Sequence, residues 1–366
     1  MDLLVTGMVT ALATCAQTDR WPGIAVTLDE ILAEVKHPPA GNREREAAWI
    51  ALFRQAGAAE GEIQVLPLEP TVKPHLAAAR ERTAERLRET GTPPAEIELA
   101  LEELDRRHRE LGNNLRVVLP GRTDRVIGFA AHLDTAEGSP GAIDNWAACV
   151  LLSNLYQTLR STRPQHTIWF CGFAEQEAGC LGSAAWADSL DARSVARIDA
   201  FVVVDCVGVA APMAWFSGSN AAVVELAADA AQRAGLPFQA VDFPGTTSDS
   251  LCLKRRAIPV LSLLGIEPPD LKKLHGPEDL PEALDARRLG ETFALLRALA
   301  AEFDTHPQPL LWDYVKAKLR IGEPASGRQP LRPTKLDLTH APLASPPAPP
   351  EPSAPPAEKP RDGSRP

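Results

Sequence analysis

The amino-acid sequence predicts an α/β protein, a three-layer α/β/α sandwich around a mostly parallel, mixed central sheet. Two observations favour this class. From residue 114 onward, short apolar runs alternate with longer amphipathic segments, which is the order of strands and helices in such folds. The apolar runs also show little polar alternation, as is typical of strands that helices cover on both faces of a sheet.

Two helices are predicted at the start of the domain. The first opens at a capping box over residues 27–30 and stops before two prolines. The second ends at Gly57 and carries Ala47, Ile50 and Phe53 on one face. The further strands are predicted at 62–68, 114–119, 125–131, 166–173, 199–205 and 258–264, and the further helices at 145–160, 180–190, 219–234, 281–303 and 309–319.

Residues 74–112 differ from the rest of the domain, because they are dense in Arg and Glu around a Gly-Thr-Pro-Pro break at 91–94. This pattern predicts a helical hairpin with mostly solvated faces. A surface insertion or lid is the favoured interpretation, and a partner-binding arm is the alternative. The hairpin is expected to pack by a thin apolar stripe of Leu76, Leu87, Ile97, Leu101 and Leu104.

Both termini are set apart from the domain, which is expected at 21–321. Residues 1–20 are either a signal-like segment or a frayed apolar N-terminus: the run at 3–15 is apolar enough for a signal core, but no Lys or Arg precedes it. Residues 322–366 are rich in Pro and Ala and poor in large apolar side chains. We expect them to be a disordered tail.

Composition and charge exclude some functions. The net charge is −10, and Lys and Arg are scattered, so no nucleic-acid footprint is expected. No apolar run reaches the roughly 18 residues that a membrane span needs. The cysteines contain no Cys-x-x-Cys pair. Buried free thiols are predicted for Cys149, Cys171, Cys206 and Cys252, and a Cys171–Cys180 bridge stays open.

Ligand-type side chains follow the predicted strands at the points where those strands end. Functional groups of open α/β sheets gather beyond the carboxyl ends of the strands, so these side chains are expected to converge. They comprise two imidazoles and three carboxylates, which suit zinc, and one bridging carboxylate would allow two ions. The candidate ligands are His132, Asp144, Glu177, Asp205 and His275.

Five motifs carry a resemblance to a known family: AAHLDT, GAIDNWAAC, FCGFAEQEAGCLGS, VVVDCVG and LHGPEDL. They resemble those of the zinc-dependent aminopeptidases, whose fold glutamate carboxypeptidase II and the glutaminyl cyclases share. The resemblance runs from about Leu28 to Phe303. It implies the phosphorylase/hydrolase-like zinc-exopeptidase fold, a peptide or small amino-acyl substrate with an unblocked N-terminus, and secretion or the cell envelope, with the cytoplasm as the alternative.

The resemblance also implies residue roles. One zinc ion would be held by His132 and Asp205, the other by Glu177 and His275, and both by Asp144. Asp134 would orient His132, and Asn145 would support the bridging carboxylate.

Some positions depart from the family pattern. Gln176 occupies the position of the usual general base, and Glu175 lies one residue too early. A carboxamide cannot take a proton from water at neutral pH. Ser250 replaces a frequent His, Leu274 replaces a Tyr of some members, and Ala148 replaces a usual Gly.

Four hypotheses therefore stay open. The protein is an active aminopeptidase with Glu175 or another carboxylate as base, a metal-binding pseudo-peptidase, a glutaminyl-cyclase-like acyltransferase, or a structural domain without metal. The cyclase hypothesis also meets the difficulty of Gln176. No serine-hydrolase elbow and no phosphate-binding loop occurs in the sequence. The substrate side chain, one or two ions, and the oligomeric state are not defined by the sequence.

Overall fold

A computed structural model describes residues 27–107, 111–243, 247–305 and 334–335. Within these ranges nine strands form one sheet, in the spatial order β1-β2-β4-β3-β5-β8-β6-β7-β9. The strands are β1 (Ile63–Pro67), β2 (Asn113–Leu119), β3 (Val126–His132), β4 (Thr167–Phe173), β5 (Ile198–Asp205), β6 (Met213–Trp215), β7 (Gln239–Asp242), β8 (Val260–Leu264) and β9 (Thr334–Lys335).

The sheet is mixed, with a parallel centre. Strand β3 pairs in parallel with β4 and β5, and β5 pairs in parallel with β8. Antiparallel pairing joins β1 to β2, β2 to β4 and β6 to β8. The register sets His132 opposite Phe173 and Asp205 opposite Leu264. The carboxyl ends of the four central strands therefore lie at one edge of the sheet.

Helices cover both faces of the sheet. They are α1 (Leu28–Val35), α2 (Asn42–Gln55), α3 (Glu69–Glu89), α4 (Pro94–Arg107), α5 (Ala147–Leu159), α6 (Leu181–Ser189), α7 (Ala192–Arg197), α8 (Ala221–Arg233), α9 (Asp249–Arg255) and α10 (Ala286–Thr305). The larger core joins one face to α1, α2, α5, α8 and α10, and a second core joins the other face to α6 and α9. The predicted three-layer α/β/α class is confirmed.

Most predicted elements are present, with shifted ends. The helix expected at 281–303 begins at Ala286, because residues 281–283 form a short 3-10 turn and Leu284 after it is extended. The short elements β6, β7, α7 and α9 were not predicted. The expected helix at 309–319 and the segment 1–20 lie outside the described residues. So does the tail expected at 322–366, except for Thr334–Lys335, which forms β9 beside β7.

The buried face of α2 differs from the prediction. Its buried residues are Arg45, Trp49 and Phe53, spaced four apart, while Ala47 is exposed and Ile50 is half-buried. Residues four apart lie on the same helix face, so the Arg belongs to the face that packs on the domain. A charged side chain on that face, in the first turn of the helix, is what hid the pattern.

Helices α3 and α4 form the predicted hairpin, and α3 begins at Glu69, earlier than expected. The two helices bury a small cluster of Ala84, Leu87, Ile97, Leu101 and Leu104. Leu76 lies in a different cluster at the base of the hairpin, with Leu68 and Leu111. That cluster also contains Ala178 and Leu181, so the base of the hairpin packs on the segment between β4 and α6.

Two further predictions concern the cysteines and the membrane. The five cysteines that the structure describes are free and buried, and Cys171 and Cys180 are not bridged. In the described ranges, no helix is both long and apolar enough to span a bilayer.

Candidate metal centre

A first group of ligand-type side chains forms where β3 and β5 end. His132 is the last residue of β3, and Asp205 is the last residue of β5. His132 Nε2 lies 2.8 Å from Asp144 Oδ1 and 3.4 Å from Asp205 Oδ1. Adjacent parallel strands bring the two strand-end residues side by side, and the turn before α5 adds Asp144.

A second group shares Asp144 with the first. His275 Nε2 lies 3.2 Å from Asp144 Oδ2 and 3.3 Å from Glu177 Oε2. In each group the ligand atoms lie within 4.8 Å of one another. The two oxygens of Asp144 thus face two different imidazoles, one in each group.

The tautomer of His132 is defined by a backbone contact. Its Nδ1 lies 3.0 Å from the carbonyl oxygen of Asp134, which can only accept a hydrogen bond, so Nδ1 carries the proton. Nε2 is then the nitrogen that faces the carboxylates and that would bind a metal ion in place of a proton. The side chain of Asp134 is farther from this ring, with Oδ1 at 3.5 Å from Nδ1.

The carboxylate of Asp134 instead organises the segment after β4. It accepts the backbone N–H of Gln176 at Oδ1 and that of Glu177 at Oδ2, each at 2.9 Å. One carboxylate therefore holds the loop that presents Glu177. This contact extends the role that the resemblance implied for Asp134.

Asp144 sits in an irregular turn at Ala142–Trp146, where Asp144 and Asn145 have non-helical backbone angles. The side chain of Asn145 ties this turn to β5: its Nδ2 donates to the carbonyl of Val204 at 2.9 Å, and its Oδ1 accepts from the N–H of Cys206 at 3.2 Å. The turn is thereby fixed beside Asp205, as expected for a residue that supports the shared carboxylate.

The site is buried on one side and open on the other. The side chains of His132, Asp144 and Asp205 are almost fully buried, whereas that of His275 is 48% exposed. The second group therefore borders solvent.

The close packing of imidazoles and carboxylates shifts the pKa values of the site residues. Burial opposes the charged imidazole, but hydrogen bonds to Asp134, Asp144 and Asp205 raise the pKa of His132 well above its usual value. The hydrogen bond to Asp144 raises the pKa of His275 to about 9. Burial, followed by repulsion from Asp144, raises the pKa of Glu177 to about 8.

The donor set fits zinc. Each group offers imidazole nitrogen and carboxylate oxygen, the N and O ligands that zinc accepts in proteins. Oε1 of Glu177 is buried and has no hydrogen-bond partner among the described residues. A buried carboxylate oxygen without a partner is costly, and a cation between Glu177, Asp144 and His275 would remove that cost.

Glu175 and Gln176 occupy different environments. Glu175 is buried, and its Oε1 accepts the backbone N–H of Gly112 at 2.9 Å, where the hairpin rejoins the sheet. Burial, followed by repulsion from Asp134, raises the pKa of this carboxyl to about 7. Gln176 is half-buried and lies in the loop between β4 and α6. One oxygen of the Glu175 carboxyl thus binds the backbone at the point where the hairpin rejoins the sheet.

The positions that depart from the resemblance are mostly buried. Ser250 lies in the first turn of α9 and is fully buried. Leu274 packs with Ile143, Cys206 and Ile266, so an apolar cluster stands where a tyrosine hydroxyl was expected in some members.

Sequence reasoning missed two charged residues beside the site. Arg45 and Asp279 are both completely buried, and both contact the loop that leads to Asp144. Asp279 lies inside the LHGPEDL motif, four residues after His275, and this spacing was the available signal. Arg45 gave none, since it lies in a helix crowded with surface charges.

The sequence and the fold were compared with known proteins. Residues 114–300 match the family described as peptidase family M28. The chain is 25% identical over 186 residues to aminopeptidase YwaD of Bacillus subtilis (strain 168), a match that covers 48% of this chain and 41% of that protein. The match thus spans well under half the length of that curated relative.

Solved structures show the same fold at lower identity. The LapA aminopeptidase of Legionella pneumophila matches with a TM-score of 0.51 and 16% identity, over 80% of this chain and 78% of that chain. A glutaminyl cyclase of Fimbriiglobus ruber matches with a TM-score of 0.54 and 13% identity, over 76% and 96% of the two chains.

Proposed function

The chain belongs to peptidase family M28, and from this premise we propose that it is a zinc-dependent hydrolase of the aminopeptidase type. Its substrates would be peptides, or small amino-acyl compounds, with an unblocked N-terminal residue. The observation that carries the proposal is the shared Asp144, whose Oδ1 and Oδ2 face His132 and His275 at 2.8 Å and 3.2 Å.

The proposed ligands are the five residues of the two groups. His132 and Asp205 would hold one zinc ion, Glu177 and His275 the other, and Asp144 both. Zinc bound there would polarise the carbonyl of the bond to be cleaved and make a water molecule more acidic.

The protein's own groups prepare the site in two ways. The backbone carbonyl of Asp134 keeps the proton of His132 on Nδ1, so that Nε2 is available as a ligand. The carboxylate of the same residue holds the N–H groups of Gln176 and Glu177, which fixes the loop that presents the Glu177 carboxylate.

A substrate can reach the site only from its solvent-exposed side. The first group is buried, and the exposed imidazole of His275 marks the side from which a substrate would approach.

A second candidate function, a metal-binding pseudo-peptidase, is favoured by one specific observation. Gln176 stands at the usual position of the general base, and the neighbouring carboxyl of Glu175 is bonded to Gly112. Under this hypothesis neither side chain takes a proton from water at the site. Metal binding would then persist while hydrolysis is slow.

The glutaminyl-cyclase-like alternative has weaker support. The likeness to the glutaminyl cyclase of Fimbriiglobus ruber, at 13% identity, extends to the fold alone. The expected acid–base role in such an acyltransferase meets the same difficulty at Gln176.

The test compares one peptide in unblocked and N-acetylated form with the zinc-loaded protein. Release of the N-terminal residue from the unblocked peptide alone supports the aminopeptidase. Binding of the unblocked peptide without cleavage, measured by calorimetry, supports the pseudo-peptidase. Equal cleavage and equal binding of the unblocked and N-acetylated peptides, or cleavage that does not require zinc, would contradict the proposal.

A further inference from the structure

Asp279 joins two loops that carry candidate ligands. Its Oδ1 accepts the backbone N–H of Ile143 at 2.6 Å, and its Oδ2 accepts that of Asp144 at 3.3 Å. The Oδ2 also accepts the hydroxyl of Ser139 at 3.3 Å, while the backbone carbonyl of Asp279 accepts the N–H of Ala142 at 3.2 Å. Since Asp279 follows His275 by four residues, these bonds fix the loop of His275 against the turn of Asp144.

Arg45 reaches the same loop from α2. Its Nη2 donates to the carbonyls of Pro140 at 2.7 Å and Gly141 at 3.1 Å. Its other nitrogens donate to the carbonyl of Pro39 at 3.0 Å and, at the longer distance of 3.5 Å, to that of Leu133. Leu133 directly follows His132, so Arg45 links the loop after β3 to the loop before Asp144.

The packing around Gly141 shows how closely Arg45 approaches this loop. Gly141 has a φ of +65°, and a Cβ built on it would clash with both Thr135 Oγ1 and Arg45 Nη2. A side chain at this position would displace the guanidinium. Glycine at this position therefore lets Arg45 approach the backbone of the loop closely.

Resting on the proposed function, we propose that Arg45 and Asp279 are positioning residues that hold the shared ligand Asp144 in place through the backbone of residues 139–144. Arg45 holds the carbonyls of this loop and ties it to the first group of ligands. Asp279 holds its N–H groups and ties it to the second group. Neither residue is a ligand itself.

Arg45 and Asp279 hold different parts of the loop, so their loss is expected to affect metal binding differently. Loss of the Asp279 bonds frees His275 relative to Asp144, which affects mainly the ion held by the second group. Loss of the Arg45 bonds frees Asp144 relative to both His132 and the rest of the domain, which affects both ions. Residues that orient ligands without binding the metal typically change metal affinity by about 10–100-fold.

The experiment titrates zinc into the chelator-stripped full chain in competition with a chromophoric chelator. Asp279→Asn keeps the size of the side chain but replaces one acceptor oxygen by a donor. We expect the ion of the second group to bind about 10–100-fold more weakly, and the ion of the first group, which shares Asp144, to be weakened less. Arg45→Lys keeps the charge, but one ammonium cannot reach all of the carbonyls at once, so both ions should bind more weakly.

Cobalt gives a second readout. Its absorption bands report ligand geometry, so the bands of cobalt-loaded Asp279→Asn should shift even at full occupancy. Ser139→Ala removes one hydrogen bond to Asp279, so the same ion should bind more weakly in this variant, but by a smaller factor. This second variant keeps the proposal testable if the Asp279 variant does not fold.

Two matched controls lie at the other end of the sheet. Asp304 is also a buried carboxylate that accepts two backbone N–H groups, those of Gln165 and His166, and Arg125 also pairs through two nitrogens, with Asp199. Asp304→Asn and Arg125→Lys should lower the melting temperature of the stripped protein and leave zinc affinity unchanged.

Each outcome decides a separate point. Wild-type zinc affinities in Asp279→Asn, Ser139→Ala and Arg45→Lys would overturn this inference and leave the proposed function standing. Equal loss of affinity in the Asp304→Asn control would also overturn it, because general destabilisation would then explain the effect. A wild-type chain that binds no zinc would overturn both.

Discussion

The carboxylate of Glu175 accepts a 2.9 Å hydrogen bond from the backbone N–H of Gly112, the residue at which the helical hairpin returns to the sheet. This bond occupies one oxygen of the carboxylate that directly precedes Gln176 in the sequence. The residue that would most readily replace the missing base is therefore engaged in holding the β4–α6 loop to the hairpin root. Two predictions about catalysis depend on this relationship.

The first prediction concerns Glu175 itself. In Glu175→Gln the side-chain carbonyl still accepts the Gly112 N–H, so the fold and the zinc content should be retained. Loss of a general base lowers the rate by about 10²–10⁴-fold. Because Glu175 is not expected to be the base, its replacement should change the rate of hydrolysis by less than about tenfold. Initial rates at equal zinc content check this. A hundredfold loss would identify Glu175 as the base.

The second prediction concerns Gln176. A carboxylate at this position would lie in the loop that presents Glu177 and could take a proton from a water molecule at the site. Gln176→Glu should therefore raise hydrolysis of amino-acid arylamides by at least about tenfold, the gain being limited by the altered surroundings at Leu274 and Ser250. Rapid turnover by the wild-type protein, unchanged in the variant, would refute this account of Gln176.

The third prediction is a pH dependence of stability that arises at the opposite end of the sheet. His166 lies between two carboxylates, with Nε2 3.1 Å from Asp199 Oδ2 and Nδ1 3.2 Å from Asp304 Oδ1. Burial opposes its charge, but these hydrogen bonds raise the pKa of His166 from its usual 6.5 to about 9. The stabilisation is therefore complete below pH 6.5 and is lost as the pH rises through 9.

Denaturant unfolding between pH 6 and pH 10 measures this effect. The variant His166→Gln should lose a pH-dependent part of the unfolding free energy on the order of 2–3 kcal/mol. His37 is exposed, so His37→Gln serves as the control that should follow the wild-type curve. Parallel curves for His166→Gln and wild type would contradict the prediction.

The fourth prediction concerns the hairpin. Arg80 Nε lies 3.2 Å from Asp105 Oδ2, so the two helices are close enough there to be joined by a short glycine-rich linker. Replacing residues 81–104 in this way removes the outer cluster and keeps the base that packs on Leu181. The domain should fold and bind zinc as before.

Activity distinguishes a lid from a plain insertion. A lid predicts a change in kcat or KM in the shortened protein, whereas an insertion predicts none. Loss of folding would show instead that the outer cluster supports the domain. As a positive control for packing at the base, Leu181→Ala should lower the unfolding free energy by about 2–5 kcal/mol.

The parts of the site that the sequence predicted share one property. His132 and Asp205 end buried strands, and apolar runs reveal where such strands end. Because parallel strands end at one edge of the sheet, local patterns were enough to bring these residues together. The helix-capping and turn signals around Asp144 were local in the same sense.

The parts that were not predicted depend on contacts between distant segments. Arg45 meets Gly141 across 96 residues, and Asp279 meets Ile143 across 136. Nothing local distinguishes a buried Arg in a charged helix from its exposed neighbours. The strands β6 and β7 are too short, at three and four residues, to show a period.

The central claim is that Asp144 is shared by two zinc ions, and the zinc content of Asp144→Ala tests it most directly. Purified wild-type and variant proteins, dialysed under mild conditions, are measured by elemental analysis, with circular dichroism to establish that both are folded. The account predicts two zinc ions per wild-type chain, a rise in melting temperature on zinc addition, and loss of most of the metal in the variant. A folded wild-type protein without zinc, or a variant that retains both ions, would contradict it.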